Sequence, residues 1–213
     1  MVVAIDGPSG VGKSTVSRAV ADVLGLAYLD TGSTYRAATL AVLDAGVDIS
    51  DERAVLEVVR AHAIDYDVSG VLLDGVSVAE AIRTDRVTTK VSAVSAHPEV
   101  RAEIVAIQRR WVVRHGGNAV VEGRDIGTVV FPDTPHKIYL TARPEVRAAR
   151  RAGDDEASGA TIDEIAVALR ARDTADSSRA ASPLKPADDA TIVDTSDIGI
   201  DEVVDAIVST IAR

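Results

Sequence analysis

The chain has 213 residues and a formal net charge of −10, with 46% hydrophobic content but only 3% aromatic. This length suits one domain of ordinary size with a small insertion, and the composition implies a core of Val, Ile, Leu and Ala in which buried strands pack on Ala-rich helices. The acidic balance argues against a surface that works by neutralising a nucleic acid polymer, the lack of cysteine removes disulfides and thiolate metal sites, and no apolar stretch approaches the roughly 20 residues of a membrane span.

In chain order, Val2-Val3-Ala4-Ile5 reads as a short strand that enters a glycine-rich loop without a basic leader, so a cytoplasmic protein is expected. Residues 14–24 carry Val16, Val20, Val23 and Leu24 at helical spacing and stop at Gly25. Residues 26–29 predict a second strand ending in Asp30, and residues 35–45 a helix closed by Gly46. Apolar runs at 64–68 and 71–74 flank Ser69-Gly70, a two-residue hairpin signal, and short mixed segments follow over 77–94, so residues 40–97 are expected to form a small insertion. Residues 98–114 predict a helix with a stripe of Val100, Ile104, Ile107 and Trp111, in which Trp111 reads as core rather than as a base-stacking platform. Residues 119–122, 137–140 and 191–194 are continuous apolar strands, as in a parallel sheet covered on both faces, and helices are expected at 143–151, 162–172 and 201–211. The alternation predicts a three-layer α/β/α fold with a central parallel sheet. Within 150–162, the polar, glycine-bounded residues 153–159 read equally as a mobile lid or a plain surface loop. His62, His97, His115 and His136 show no metal-ligand spacing and read as structural or surface groups.

The loop after the first strand, Gly7-Pro8-Ser9-Gly10-Val11-Gly12-Lys13-Ser14, fits the phosphate-loop pattern Gly-x4-Gly-Lys-Ser. Glycines let backbone N–H groups point inward, the following helix N-terminus favours an anion, Lys13 reaches the outer phosphates and the Ser14 hydroxyl can coordinate Mg2+. Gly7, Pro8, Ser9, Gly10, Val11, Gly12, Lys13, Ser14 and Thr15 are therefore the candidate polyphosphate-binding residues. The loop does not choose the acceptor. A regulatory GTPase would be expected to carry an Asn-Lys-x-Asp segment, which is absent, and a large motor would need more chain, so a small-molecule kinase is preferred. Such an enzyme needs a second anion-binding region, because phosphoryl transfer depends on positioning and charge neutralisation. Only Lys13, Lys90, Lys137 and Lys185 of the 23 basic residues are lysines, and the arginines that make up the rest suit bidentate phosphate contacts.

Three segments are candidates for that region. Asp30-Thr31-Gly32-Ser33-Thr34-Tyr35-Arg36 follows the second strand, and reads either as a turn that aims Arg36 at a cleft or as a helix start capped by Thr31 or Ser33 with Arg36 exposed. Glu122-Gly123-Arg124-Asp125 ends the third apolar strand, where Arg124 can hold a phosphate while Asp125 accepts from an amino group, or where the two simply pair with each other. Arg172, Asp176 and Arg179 recur at spacings of four and three, so they share a face if the helix continues, either as an acceptor site or as a solvated ion-pair ladder.

Taken together, GPSGVGKS, YLDTGSTYR, VSAVSAHPEVR, VVEGRDIGTVVFPD, RAARR, RDTADSSR and PLKPADDATIVDTS strongly resemble the bacterial cytidylate kinase family of the P-loop nucleoside monophosphate kinases, over nearly the whole chain. The resemblance implies a monomer that uses Mg·ATP to phosphorylate CMP and dCMP, and it assigns residues 7–15 to ATP. It implies that Arg36, Arg124 and Arg179 hold the acceptor phosphate and act with Lys13 in transfer. Ser92, Arg101 and Asp125 would read cytosine, and Arg172 and Asp176 the sugar, with Thr31 also on the CMP side. Arg147, Arg150 and Arg151 would belong to the lid side. The chain departs from many relatives at Ser33-Thr34, and from some at Glu122, which leaves a metal or water role for Glu122 open. A kinase for UMP, AMP or shikimate is the alternative, and a non-catalytic nucleotide-binding switch a further one.

Overall fold

The computed structural model describes residues 1–153 and 160–211, so the centre of the expected lid segment lies outside the described residues. In chain order the elements are β1 (Val2–Asp6), α1 (Lys13–Leu24), β2 (Ala27–Asp30), α2 (Thr31–Ala45), α3 (Glu52–Ala61), β3 (Ile64–Asp67), β4 (Gly70–Leu73) and β5 (Val76–Ser77). There follow α4 (Asp85–Thr88), α5 (Val91–Val94), α6 (Pro98–Arg114), β6 (Ala119–Gly123), a π-turn at Ile126–Val130, β7 (His136–Thr141), α7 (Pro144–Ala152), α8 (Ile162–Ser178), β8 (Thr191–Asp194) and α9 (Ile200–Ile211). Two compact units are present: Met1–Leu29 with Gly117–Arg213, and Asp30–Gly116.

The five-stranded sheet of the first unit has the order β2-β6-β1-β7-β8, and its helices give the three-layer α/β/α arrangement. β1 pairs in parallel with β6 from Val2 opposite Ala119 to Asp6 opposite Gly123, and with β7 on its other side. Parallel pairing brings the loops that follow β1 and β6 out at one sheet edge, where ligands of open α/β sheets bind. The central strands β1 and β6 are buried on both faces, which explains their unbroken apolar runs, whereas β8, expected to be covered likewise, is an edge strand that lies mostly exposed, with Ile192 at 61%. Val3, Ile5, Val120, Ile138 and Leu140 form one core cluster with Val16, Val20 and Ala21 of α1 and Val203, Val204 and Ile207 of α9, while Ala4, Ala119 and Val121 are fully buried on alternate positions.

Helix ends follow local chemistry. Gly12 and Gly25 bound α1 in the left-handed region, at φ 89° and 64°. α2 starts at Thr31, four residues before the predicted start, because the Asp30 carboxylate takes the cap and accepts from Ser33 N at 3.1 Å; neither Thr31 nor Ser33 is the cap. α8 opens with a capping box between Thr161 and Glu164 and runs six residues past the predicted end, so that Arg172, Asp173 and Asp176 share one helix and Arg179 is its C-cap.

In the second unit β3, β4 and β5 form an antiparallel sheet. The hairpin loop is Val68-Ser69, one residue earlier than the Ser69-Gly70 signal: Gly70 joins the ladder opposite Asp67, whose carboxylate accepts from Ser69 N at 2.7 Å and Ser69 Oγ at 2.6 Å. α3, absent from the sequence reading, is capped by Asp51 and buries Val55, Leu56 and Val59. Trp111 is core: it is 3% exposed, donates from Nε1 to Tyr66 O at 2.6 Å and stacks on His115 at 3.8 Å. Among the described residues no helix is long and apolar enough to cross a membrane.

Candidate active site

The P-loop begins where β1 runs out of partners. Gly7, Gly10 and Gly12 adopt φ of 155°, 80° and 89°, conformations that side-chain-bearing residues rarely take. Two of them also lack room. A Cβ on Gly7 would sit 2.4 Å from Leu140 O, and one on Gly10 would sit 2.9 Å from Arg147 O. Lys13 is buried and donates from Nζ to Pro8 O at 2.7 Å, whereas Ser14 and Thr15 are exposed in the first turn of α1. Burial lowers the Lys13 ammonium well below its ordinary pKa, the positive charges of Arg124 and Arg172 push in the same direction, and Glu122 and Asp6 oppose them. A cation so crowded by cations is a site short of anionic charge, which a polyphosphate supplies.

Arg124 is the hub of the first unit's site. Its Nη2 donates to Ser9 Oγ at 2.7 Å in the P-loop, its Nε donates to Asp176 Oδ2 at 3.1 Å on α8, and its Nη1 reaches Gly123 O at 3.3 Å. Arg179 also meets Asp176, at 3.6 Å. Arg124 thus pairs with Asp176 rather than with the adjacent Asp125, and the face carrying Asp176 is not solvated, since Asp176 is 5% exposed. Asp125 is buried at the cap position of the π-turn, with no side-chain cap hydrogen bond. Glu122 is buried and accepts from Tyr28 OH.

The arginines expected on the lid side divide. Arg147 donates from Nε to Ser9 O at 2.7 Å and also pairs with Asp173, whose carboxylate accepts from Ser9 N at 3.4 Å. Arg150 is tied to Thr195, with 2.8 Å to Oγ1 and 2.6 Å to O, and lies 3.3 Å from Val11 O. Both therefore brace the backbone of the P-loop from α7. Arg151 is half-buried and Arg172 is half-buried on α8.

The remaining candidates belong to the second unit. Thr31 is buried at the first position of α2. Arg36 is half-buried, neither exposed nor idle: Nη1 donates to Ile82 O at 3.0 Å and Thr88 Oγ1 at 2.7 Å. Ser92 is half-buried on α5, and Arg101, 4% exposed on α6, donates to Ser95 O at 3.1 Å and lies over the Tyr35 ring at 4.9 Å. His62 pairs with Asp74, and His97 Nε2 lies 2.8 Å from Ile49 O.

Sequence reasoning missed Asp6, Asp173 and Thr195. Asp173 lay inside a quoted motif, and Asp6 sits where β1 meets Gly7, a strand-end position that marks it. Asp6 is buried and accepts from Ile126 N and Gly127 N, each at 2.8 Å. Desolvation raises its pKa to about 6 against these two hydrogen bonds.

A family model described as "Cytidylate kinase" matches residues 3–213. A cytidylate kinase of Corynebacterium efficiens is 56% identical over 209 residues, covering 95% of this chain and 90% of its own length. One of Streptomyces avermitilis is 51% identical over 213 residues, covering 98% and 91% respectively. In fold, an uncharacterized protein of Eubacterium ventriosum superposes with a TM-score of 0.56 at 12% identity, covering 100% of this chain and 99% of its own.

Proposed function

The chain belongs to the cytidylate kinase family, and from that premise we propose that it transfers the γ-phosphoryl group of ATP to CMP and dCMP, releasing ADP with CDP or dCDP. The observation that carries this reading is the seat of Arg124. One guanidinium links the P-loop at Ser9, the end of β6 and α8 at Asp176, so the three motifs expected to hold donor and acceptor meet at one group in the first unit.

In the reaction an oxygen of the acceptor phosphate attacks the γ-phosphorus, and the bond to the β,γ-bridging oxygen breaks with its electron pair leaving on ADP. The attacking oxygen is already ionised at neutral pH, so no dedicated base is needed, and positioning and charge neutralisation supply the catalysis. Lys13 and the P-loop N–H groups hold the donor phosphates. Arg36, Arg124 and Arg179 hold the acceptor phosphate, and Arg172 and Asp176 serve the sugar. Asp125 accepts from the exocyclic amine of cytosine, with Arg101 and Ser92 on the ring's polar edge. Uracil lacks that amine, so the burial of Asp125 penalises it.

The donor set suits Mg2+. Ser14 offers one exposed hydroxyl beside Lys13, a hard oxygen donor of the kind Mg2+ takes. When bound, Mg2+ neutralises charge on the β- and γ-phosphates, with Ser14 as the residue that holds it.

A coupled ADP-release assay over CMP, dCMP, UMP, AMP and shikimate tests the proposal. Turnover should be confined to CMP and dCMP, with UMP far behind. Robust turnover of another acceptor with silence on CMP overturns the substrate assignment, and saturable ATP binding without CMP binding points to a nucleotide switch.

A further inference from the structure

Resting on the cytidylate kinase reading, we propose that Asp6 positions the acceptor-reading residues Arg124 and Asp125, by capping from the neighbouring strand the turn that follows them. The π-turn at Ile126–Val130 begins with backbone N–H groups that have no partner inside it. An Asp at the cap position normally supplies that partner, and Asp125 stands there, yet its carboxylate makes no cap hydrogen bond. Asp6 makes both instead, accepting from Ile126 N and Gly127 N at 2.8 Å.

The turn is held from its other residues too. Val129 N and Val130 N donate to Asp125 O at 2.8 and 3.1 Å, and Phe131 N donates to Ile126 O at 2.7 Å. A Cβ on Gly127 would lie 3.1 Å from Lys137 Cγ, and Lys137 is anchored by both carboxylate oxygens of Asp189 at 2.9 and 2.8 Å. Asp6 is therefore the strand-side anchor of a turn packed tightly against β7, and the backbone it grips lies directly after the two residues that read phosphate and base. Burying a carboxylate at this point is costly. The groups acting on it are Asp125 from the turn, Lys13 from α1 and, across the β1–β7 ladder, Tyr139. Two strong acceptor lone pairs facing two backbone N–H groups account for an ionisable group there rather than an apolar one.

Asp6→Asn and Asp6→Glu test this, with thermal unfolding as the check on folding and calorimetric titration of CMP and of a non-hydrolysable ATP analogue as the readout. Asp6→Asn, which presents an N–H donor toward an N–H donor, should weaken CMP at pH 7.5 by about ten-fold or more while leaving the ATP analogue within about two-fold, and Asp6→Glu should recover part of the loss. The ratio of wild-type to Asp6→Asn affinity for CMP should fall toward one as the pH is lowered through about 6, where wild-type Asp6 takes up its proton. The phosphate of CMP titrates in the same range in both proteins, so the ratio cancels it. Unchanged CMP affinity, or equal weakening of CMP and the ATP analogue, overturns the positioning role. If Asp6→Asn does not fold, Asp6→Glu is read by the same comparison, and a loss shared equally by both nucleotides again overturns it. A wild-type protein that binds UMP or AMP in place of CMP overturns the substrate assignment instead, and the role of Asp6 is then read on that nucleotide with the same expectation.

Discussion

At the residue scale, Asp6 sets two opposing terms against each other, and the magnitudes decide between them. Two N–H hydrogen bonds favour its carboxylate, but desolvation is the larger influence and lifts the pKa from 3.8 to about 6. Because the folded value lies above the unfolded one, the native state binds the proton more tightly. Stability contributed by Asp6 is thus present below about pH 4 and lost as the pH rises through about 6, by roughly 3 kcal/mol in all. Urea unfolding of the wild type at pH 4, 5, 6 and 7, minus that of Asp6→Asn, should show this falling slope and then a plateau. A difference that rises with pH would mean that the hydrogen bonds outweigh burial. Surface carboxylates such as Asp189 and Asp197 are shifted downward by their cationic partners Lys137 and Arg143, and their titration cancels in the subtraction.

At the element scale, the loop between β1 and α1 is shaped as much by β7 as by its own residues. Gly7 turns the chain at φ 155° with Leu140 O where a Cβ would stand, so the strand backbone itself excludes any other residue. Gly7→Ala should cost about 2–4 kcal/mol, since neither backbone can yield without breaking the ladder, and should weaken ATP in parallel. Denaturant midpoints together with ATP titrations check this; an unchanged midpoint would show that β7 gives way. α8 teaches a related lesson. Its capping box at Thr161 and Glu164 fixes its start, while its last turns are held by the partners of Asp173 and Asp176, which include Arg147, Ser9 and Arg124.

At the scale of the whole molecule, the only tryptophan, Trp111, is buried in the second unit and gives that unit its own fluorescent report. CMP at a hundredfold excess over its Kd should raise the unfolding free energy read by Trp111 by about 2.7 kcal/mol, and UMP at the same concentration by much less. Equal shifts for the two nucleotides would remove cytosine selectivity from the binding step.

Much of the fold was written locally. The continuous apolar runs marked β1, β6, β7 and β8, Gly25 stopped α1, a motif at a strand end picked out Arg124 and Asp125, and helical spacing singled out Asp176, because those signals depend on residues a few positions apart. Where a side chain spends its hydrogen bonds is another matter. The cap of α2 went to Asp30 rather than Thr31 or Ser33, the hairpin loop moved by one residue, and Arg124 chose Asp176, 52 residues away, over the adjacent Asp125. Asp6 carried no local mark of its partners, since the N–H groups it holds lie 120 and 121 residues further on and come within reach only when β1 pairs with β6. The amino-acid sequence alone determined that a phosphate-loop pattern and an arginine-rich set of candidate acceptor residues are present. Tertiary structure decided which carboxylate secures each of them, because burial and strand pairing create the partners between which a charged group must choose.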